Sequence, residues 1–119
     1  MNTDVFLVLL VCHWLADFTH LSRPWMLAAK ANGAPLGPIA AHAAVHAALM
    51  GLSLAVLAPE KAILGALIQW ASHFLIDVWK GRMNVWFPSL RSPANVFHWW
   101  VFGADQVLHI VVLVIMASM

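Results

Sequence analysis

Apolar residues fill four stretches of the chain, about residues 3–22, 36–58, 61–80 and 95–118. Each approaches the roughly 20 residues a helix needs to cross the hydrocarbon core of a bilayer. Polar side chains inside these stretches are few, and they recur at one spacing. His13 and Asp17, His42 and His46, His73 and Asp77, and Asp105 and His109 each stand four residues apart, one pair per stretch. On a helix that spacing puts both side chains on one face, with their Cβ atoms about 6 Å apart. The pattern predicts an all-α, polytopic membrane protein, a four-transmembrane-helix bundle in which every helix carries one polar pair.

The breaks between the stretches have their own chemistry. Ser22-Arg23-Pro24-Trp25 ends the first, because proline lacks a donor and restricts the residue before it. Met26 to Lys30 then predicts a short interfacial helix. Asn32-Gly33-Ala34-Pro35 is a break, after which Gly37-Pro38 opens the second helix with proline in its first turn. Ala58-Pro59-Glu60 is so short a connection that the second and third helices must be antiparallel neighbours. Gly81 to Ser92 reads as an aromatic and basic loop on the membrane surface. Ser92-Pro93 reads as an N-cap and first-turn proline opening the last helix.

Composition agrees with this picture. With 63% of its 119 residues apolar and 9% charged, the chain reads as a single transmembrane domain over residues 1–119. A net charge of +1 gives no reason to expect nucleic acid as a partner. The placement of the cations carries more: Arg23, Lys30, Lys80, Arg82 and Arg91 flank the first and third connections, and Lys61 stands alone in the second. By the positive-inside rule the first and third connections face the cytoplasm and both termini lie outside, as a multi-pass protein of the cell inner (cytoplasmic) membrane. The first stretch has neither a basic leader nor a small-residue cleavage site after it, so it is expected to be retained. Trp25, Trp79, Trp86, Trp99 and Trp100 fit an interfacial belt. The single cysteine, Cys12, excludes an internal disulfide and reads as an apolar filler.

The two halves of the chain correspond. His13 and His73, and Asp17 and Asp77, are 60 positions apart, while His42 and Asp105, and His46 and His109, are 63 apart. This describes a duplicated helical hairpin whose halves are related by a pseudo-twofold axis along the membrane normal. Counting at 1.5 Å per residue from the cytoplasmic helix ends, with the last stretch entering at about residue 99, Asp17, His42, Asp77 and Asp105 lie roughly 5–9 Å deep, and His13, His46, His73 and His109 roughly 10–15 Å deep.

Ionisable residues inside a bilayer tend to face the bundle interior and to be functional. Five imidazoles with three carboxylates suit one or two divalent cations, zinc first and manganese or iron after it. The metal ligands expected are His13, Asp17, His42, His46, His73, Asp77, Asp105 and His109. A metal that activates water, or a pair that clamps a phosphoryl group, points to hydrolysis. Asp17, Asp77, Asp105 and Lys80 are the residues expected to act in it. Arg23, Lys30, Lys80 and Arg82 are placed to ring the mouth and hold a small phosphorylated or lipid-like substrate. The partners expected besides that substrate are membrane lipids and, through Ala- and Gly-rich helix faces, further copies of the chain.

At His13, Asp17, Phe18, Lys30, His42, His46, His73, Asp77, Lys80, Asp105, Gln106 and His109 the chain resembles an uncharacterised bacterial and phage integral-membrane family, a domain of unknown function. Its motifs are His-x3-Asp-Phe, His-x3-His, His-Phe-Leu-Ile-Asp-x2-Lys and Asp-Gln-x2-His. In motif style that family is similar to membrane-bound metal-dependent hydrolases, a resemblance that implies a metal and hydrolysis. Leu21 stands where the family usually has glutamine, and Pro24 interrupts the following segment.

Two other readings use the same residues. A proton or metal-ion transporter or channel would need polar access from both sides, and the outer halves of the helices offer little beyond Ser53. Haem held by facing histidines would leave the aspartates unexplained.

Overall fold

The computed structural model describes residues 1–119 and is helical throughout, without strands. The elements are α1 (Thr3–Phe18), a short α2 (Pro24–Lys30), α3 (Leu36–Leu57), α4 (Ala62–Trp86) and α5 (Val96–Ser118), with 3-10 turns at Pro59–Lys61 and Pro88–Arg91. Each long helix packs against two others, in the cyclic order α1, α3, α4, α5. The Asn2 N–H donates to the Ala117 carbonyl at 2.9 Å, so both chain ends sit at one end of the bundle.

Three helices, α3, α4 and α5, are long and apolar enough to cross a membrane. The first differs from expectation. It stops at Phe18, where Thr19 turns to extended backbone and its hydroxyl donates back to the Leu15 carbonyl. Its 16 residues reach about 24 Å, short of a roughly 30 Å hydrocarbon core. Two other boundaries also move. The third long helix runs past Lys80 to Trp86, so half of the expected surface loop is helix. The last helix is capped by Asn95, whose side-chain oxygen accepts from Phe97 N–H at 3.1 Å, and Ser92 instead supports the turn at Ala94.

The interior is layered along the bundle. Near the chain ends it is apolar, with Leu9, Met50, Leu54, Leu113 and Met116 fully buried in one cluster. The other half is polar. The buried residues of α4 are Gly65, Gln69, His73, Asp77 and Gly81, a stripe of strict four-residue spacing. Outside, large apolar side chains such as Leu7, Val56, Ile63, Leu75 and Trp100 are exposed on every long helix, as suits lipid as the solvent.

Alpha2 closes the polar end. Gly33 adopts φ of 70°, and a Cβ on Gly81 would collide with the Gly33 backbone and the Lys30 carbonyl. Two glycines thus let the α2–α3 turn lie directly on α4. Asn84 and Arg91 fasten it by donating to the Ala31 carbonyl, at 3.1 and 3.3 Å.

Candidate metal centre

The polar pairs point inward and meet. His42, His46 and His73 are completely buried, and Asp77, Asp105, His109 and His13 are nearly so. His42 Nε2 and His46 Nε2 each stand 2.8 Å from Asp17 Oδ1, and His73 Nε2 stands 3.6 Å from the same oxygen. These four residues, from α1, α3 and α4, form a group whose ligand atoms all lie within 4.8 Å of one another. A second group, His73, Asp77 and His109, meets the same criterion and shares His73. Three imidazoles with one carboxylate is a donor set that suits a tetrahedral first-row cation.

The second group adds an independent sign. His73 Nε2 lies 3.1 Å from Asp77 Oδ2, and His109 Nε2 lies 3.4 Å from Asp77 Oδ1. Yet both nitrogens and both oxygens are buried without a hydrogen bond, as is Asp105 Oδ1. Buried polar groups left unpaired are costly and rare. Unpaired buried nitrogens and carboxylate oxygens gathered this closely are what a cation would satisfy.

The two groups are not equivalent. A buried glutamine, Gln69, places its side-chain nitrogen 3.1 Å from His73 Nδ1 and its oxygen without a partner. With the amide turned over, that oxygen accepts from Nδ1–H and leaves the Nε2 lone pair facing the carboxylates for a cation. Of His42, His46 and His73, only His73 has a side-chain partner behind it. The position 60 residues earlier is Leu9, so His13 lacks the glutamine that stands behind His73. Its Nε2 lies 3.0 Å from Gln106 Oε1 and 3.4 Å from Asp17 Oδ2, so it belongs to neither ligand group. His13 is placed to hold Asp17, and Asp105, 3.3 Å from His109, flanks the second group.

Six of the eight expected ligands, Asp17, His42, His46, His73, Asp77 and His109, therefore fall in the two groups. Gln69 lies outside the His/Asp pairs but belongs to the site, and Gln69-x3-His73-x3-Asp77 continues the same four-residue stripe. The stacked rings, with centroids 3.6 Å apart for His46 and His73 and 4.1 Å for His73 and His109, leave no slot between them for a porphyrin.

A cleft of about 370 Å³ opens onto the centre at the end away from the chain termini. Asp17, Asp77 and Asp105 line its floor, with Lys30 and Lys80 beside them. Lys30 Nζ stands 3.6 Å from Asp17 and 3.7 Å from Asp77. Burial works to lower its pKa, but Asp77, Asp17 and Asp105 outweigh burial and hold the ammonium above the ordinary lysine value. Lys80 Nζ stands 3.6 Å from Asp105 and lies over the Phe102 ring.

The other two expected substrate cations lie elsewhere. Arg23 is exposed outside the cleft, and Arg82 lies along Gly33 with its guanidinium above Trp86. Their places are taken by Arg91 and His98. Both come from the segment read as loop and helix start, where no spacing pairs them with the main cluster.

A family model described as "Protein of unknown function (DUF3307)" matches residues 5–119. No curated protein and no solved structure matches the chain.

Proposed function

The chain belongs to this DUF3307 family, and on that premise we propose that it is a multi-pass inner-membrane metalloprotein that hydrolyses a phosphorylated or lipid-like substrate at the cytoplasmic face. The observation that carries the reading is the convergence of Asp17, His42, His46 and His73 beneath a cleft walled by Lys30 and Lys80. A divalent cation held there supplies Lewis acidity and offsets charge on a phosphoryl group.

The chain's own residues supply the rest. Asp17 is aligned by three imidazoles, and His73 by Gln69. Because one ring nitrogen binds one ion, His73 serves only one of the two groups; given to the larger Asp17 group, it leaves Asp77 and His109, flanked by Asp105, for a second cation. Lys30 and Lys80 bind the anionic substrate as point charges. Asp105, lining the cleft and paired with Lys80, is placed to take or return a proton. Zinc is the favoured metal, with manganese or iron as alternatives.

Two features support the orientation and argue against a conduit. Arg23, Lys30, Lys80, Arg82 and Arg91 cluster at the cleft end, which the positive-inside rule assigns to the cytoplasm, with both termini outside. Beyond the histidines the axis is sealed by the apolar cluster, and Ser53 there is engaged with Cys12 and the Leu49 carbonyl. The quasi-equivalent histidines and aspartates fall on diagonally opposed helices, α1 with α4 and α3 with α5, as a duplicated four-span bundle requires.

The direct test is phosphate release from a lipid phosphate monoester by the purified chain in detergent. Release that stops on chelation and returns with zinc or manganese is expected. Release insensitive to chelation, or none with any first-row metal, would refute the assignment.

A further inference from the structure

The cleft is amphipathic, and its sides differ in kind. Lys30, Lys80, Arg91 and His98 present cations and donors, while Phe18, Leu27, Val101 and Phe102 present hydrocarbon. The His98 Nδ1–H donates to the Leu90 carbonyl at 2.7 Å, which fixes the ring and leaves Nε2 to accept from a phosphate hydroxyl or, with the ring protonated, to donate to a phosphate oxygen. Arg91 is anchored on Asn32 Oδ1 at 2.9 Å, so it too is held in place.

The cleft also has a side entrance. Alpha2 and α5 do not pack against each other, although each packs on α4, so the bundle is unclosed between them at this level. Phe18 on α1 and Leu27 on α2 border this opening and are about half exposed. In a bilayer that rim faces acyl chains, whereas the charged wall lies at headgroup depth. A water-soluble phosphate would need the cations and would gain nothing from the apolar half.

We propose that the cleft takes a phosphate-bearing lipid sideways from the inner leaflet, its phosphate among Lys30, Lys80 and His98 and its chain leaving between α2 and α5. The inference rests on the metal-centre reading, because three carboxylates at the floor would otherwise repel the phosphate.

Binding of dodecylphosphonate and of methylphosphonate to the metal-loaded full chain in maltoside, corrected with empty micelles, separates the two sources of phosphate. Neither probe is hydrolysed, so binding is read without turnover. Dodecylphosphonate is expected to saturate and to bind at least tenfold tighter than methylphosphonate. Lys80→Gln should weaken both about tenfold. Val101→Trp, which fills the apolar half, should weaken the dodecyl probe alone. Equal binding of the two probes, or a dodecyl affinity that Val101→Trp leaves unchanged, would identify a water-soluble ligand and overturn the proposal. Metal content measured on the same samples keeps the two readings apart: metal present with no chain-dependent binding removes the lipid inference only, and no metal removes the centre beneath it.

Discussion

At the scale of single residues, the centre depends on how His73 is held. Its Nδ1 meets the Gln69 amide while its Nε2 reaches towards both carboxylates, so the glutamine sets which nitrogen faces the cluster. Partners of this kind typically govern ligand affinity by 10–100-fold. Gln69→Leu reproduces the apolar residue found at Leu9 in the other half and removes that partner without adding bulk. Metal affinity measured by chelator competition should fall about 10–100-fold, with helical content unchanged. An affinity equal to wild type would show that Gln69 is only filling space. The four i, i+4 pairs were legible in the sequence because imidazoles and carboxylates are conspicuous in an apolar helix. Gln69 was not, since one amide among Leu, Ile and Trp reads as a minor polar residue until the whole stripe from Gly65 to Gly81 is counted.

At the scale of elements, two glycines decide where α2 sits, and α2 carries Lys30. Gly81→Ala places a methyl group against the Gly33 backbone and the Lys30 carbonyl, neither of which is a flexible side-chain tip. The variant should lose about 1–3 kcal/mol of stability by overpacking, read as a lower midpoint of thermal unfolding in detergent. It should also weaken phosphonate binding, because Lys30 moves with its helix. Full stability would mean that α2 is not docked on α4. Gly81 also explains a misplaced boundary: after Trp79 and Lys80 a glycine reads as a helix stop, but here it is an interior glycine kept small for a neighbouring backbone. The start of α5 was misplaced for a related reason. Ser92-Pro93 and Asn95 are both competent openings, and the choice of Asn95 depends on the turn in which Ser92 is already engaged. The punctuation around α3 was unambiguous, and its expected and observed limits, 36–58 and Leu36–Leu57, nearly coincide.

At the scale of the whole molecule, polarity is divided end to end. One end holds the chain termini and a dry apolar core, and the other holds the cleft, the centre and five of the six Lys and Arg residues. That asymmetry predicts orientation: in cells, Ser89→Cys should resist a membrane-impermeant thiol reagent added from outside until the inner face is exposed, while Ser118→Cys should react at once. The buried native Cys12 should stay silent in both. The reverse labelling would place the cleft outside. The hydrophobic pattern alone made the bundle and its inward-facing pairs legible. The shortness of α1 was not, because Thr19 leaves the helix within a stretch whose composition continues to look helical.

The account stands on six side chains from four helices holding one or two cations, and elemental analysis of the purified full chain after metal repletion addresses this most directly. Stoichiometric zinc, manganese or iron is predicted for the wild type, and its loss in a His73→Ala variant that still inserts and keeps its helical spectrum. A repleted wild type without bound metal, or a His73→Ala protein that retains its full complement, would contradict it.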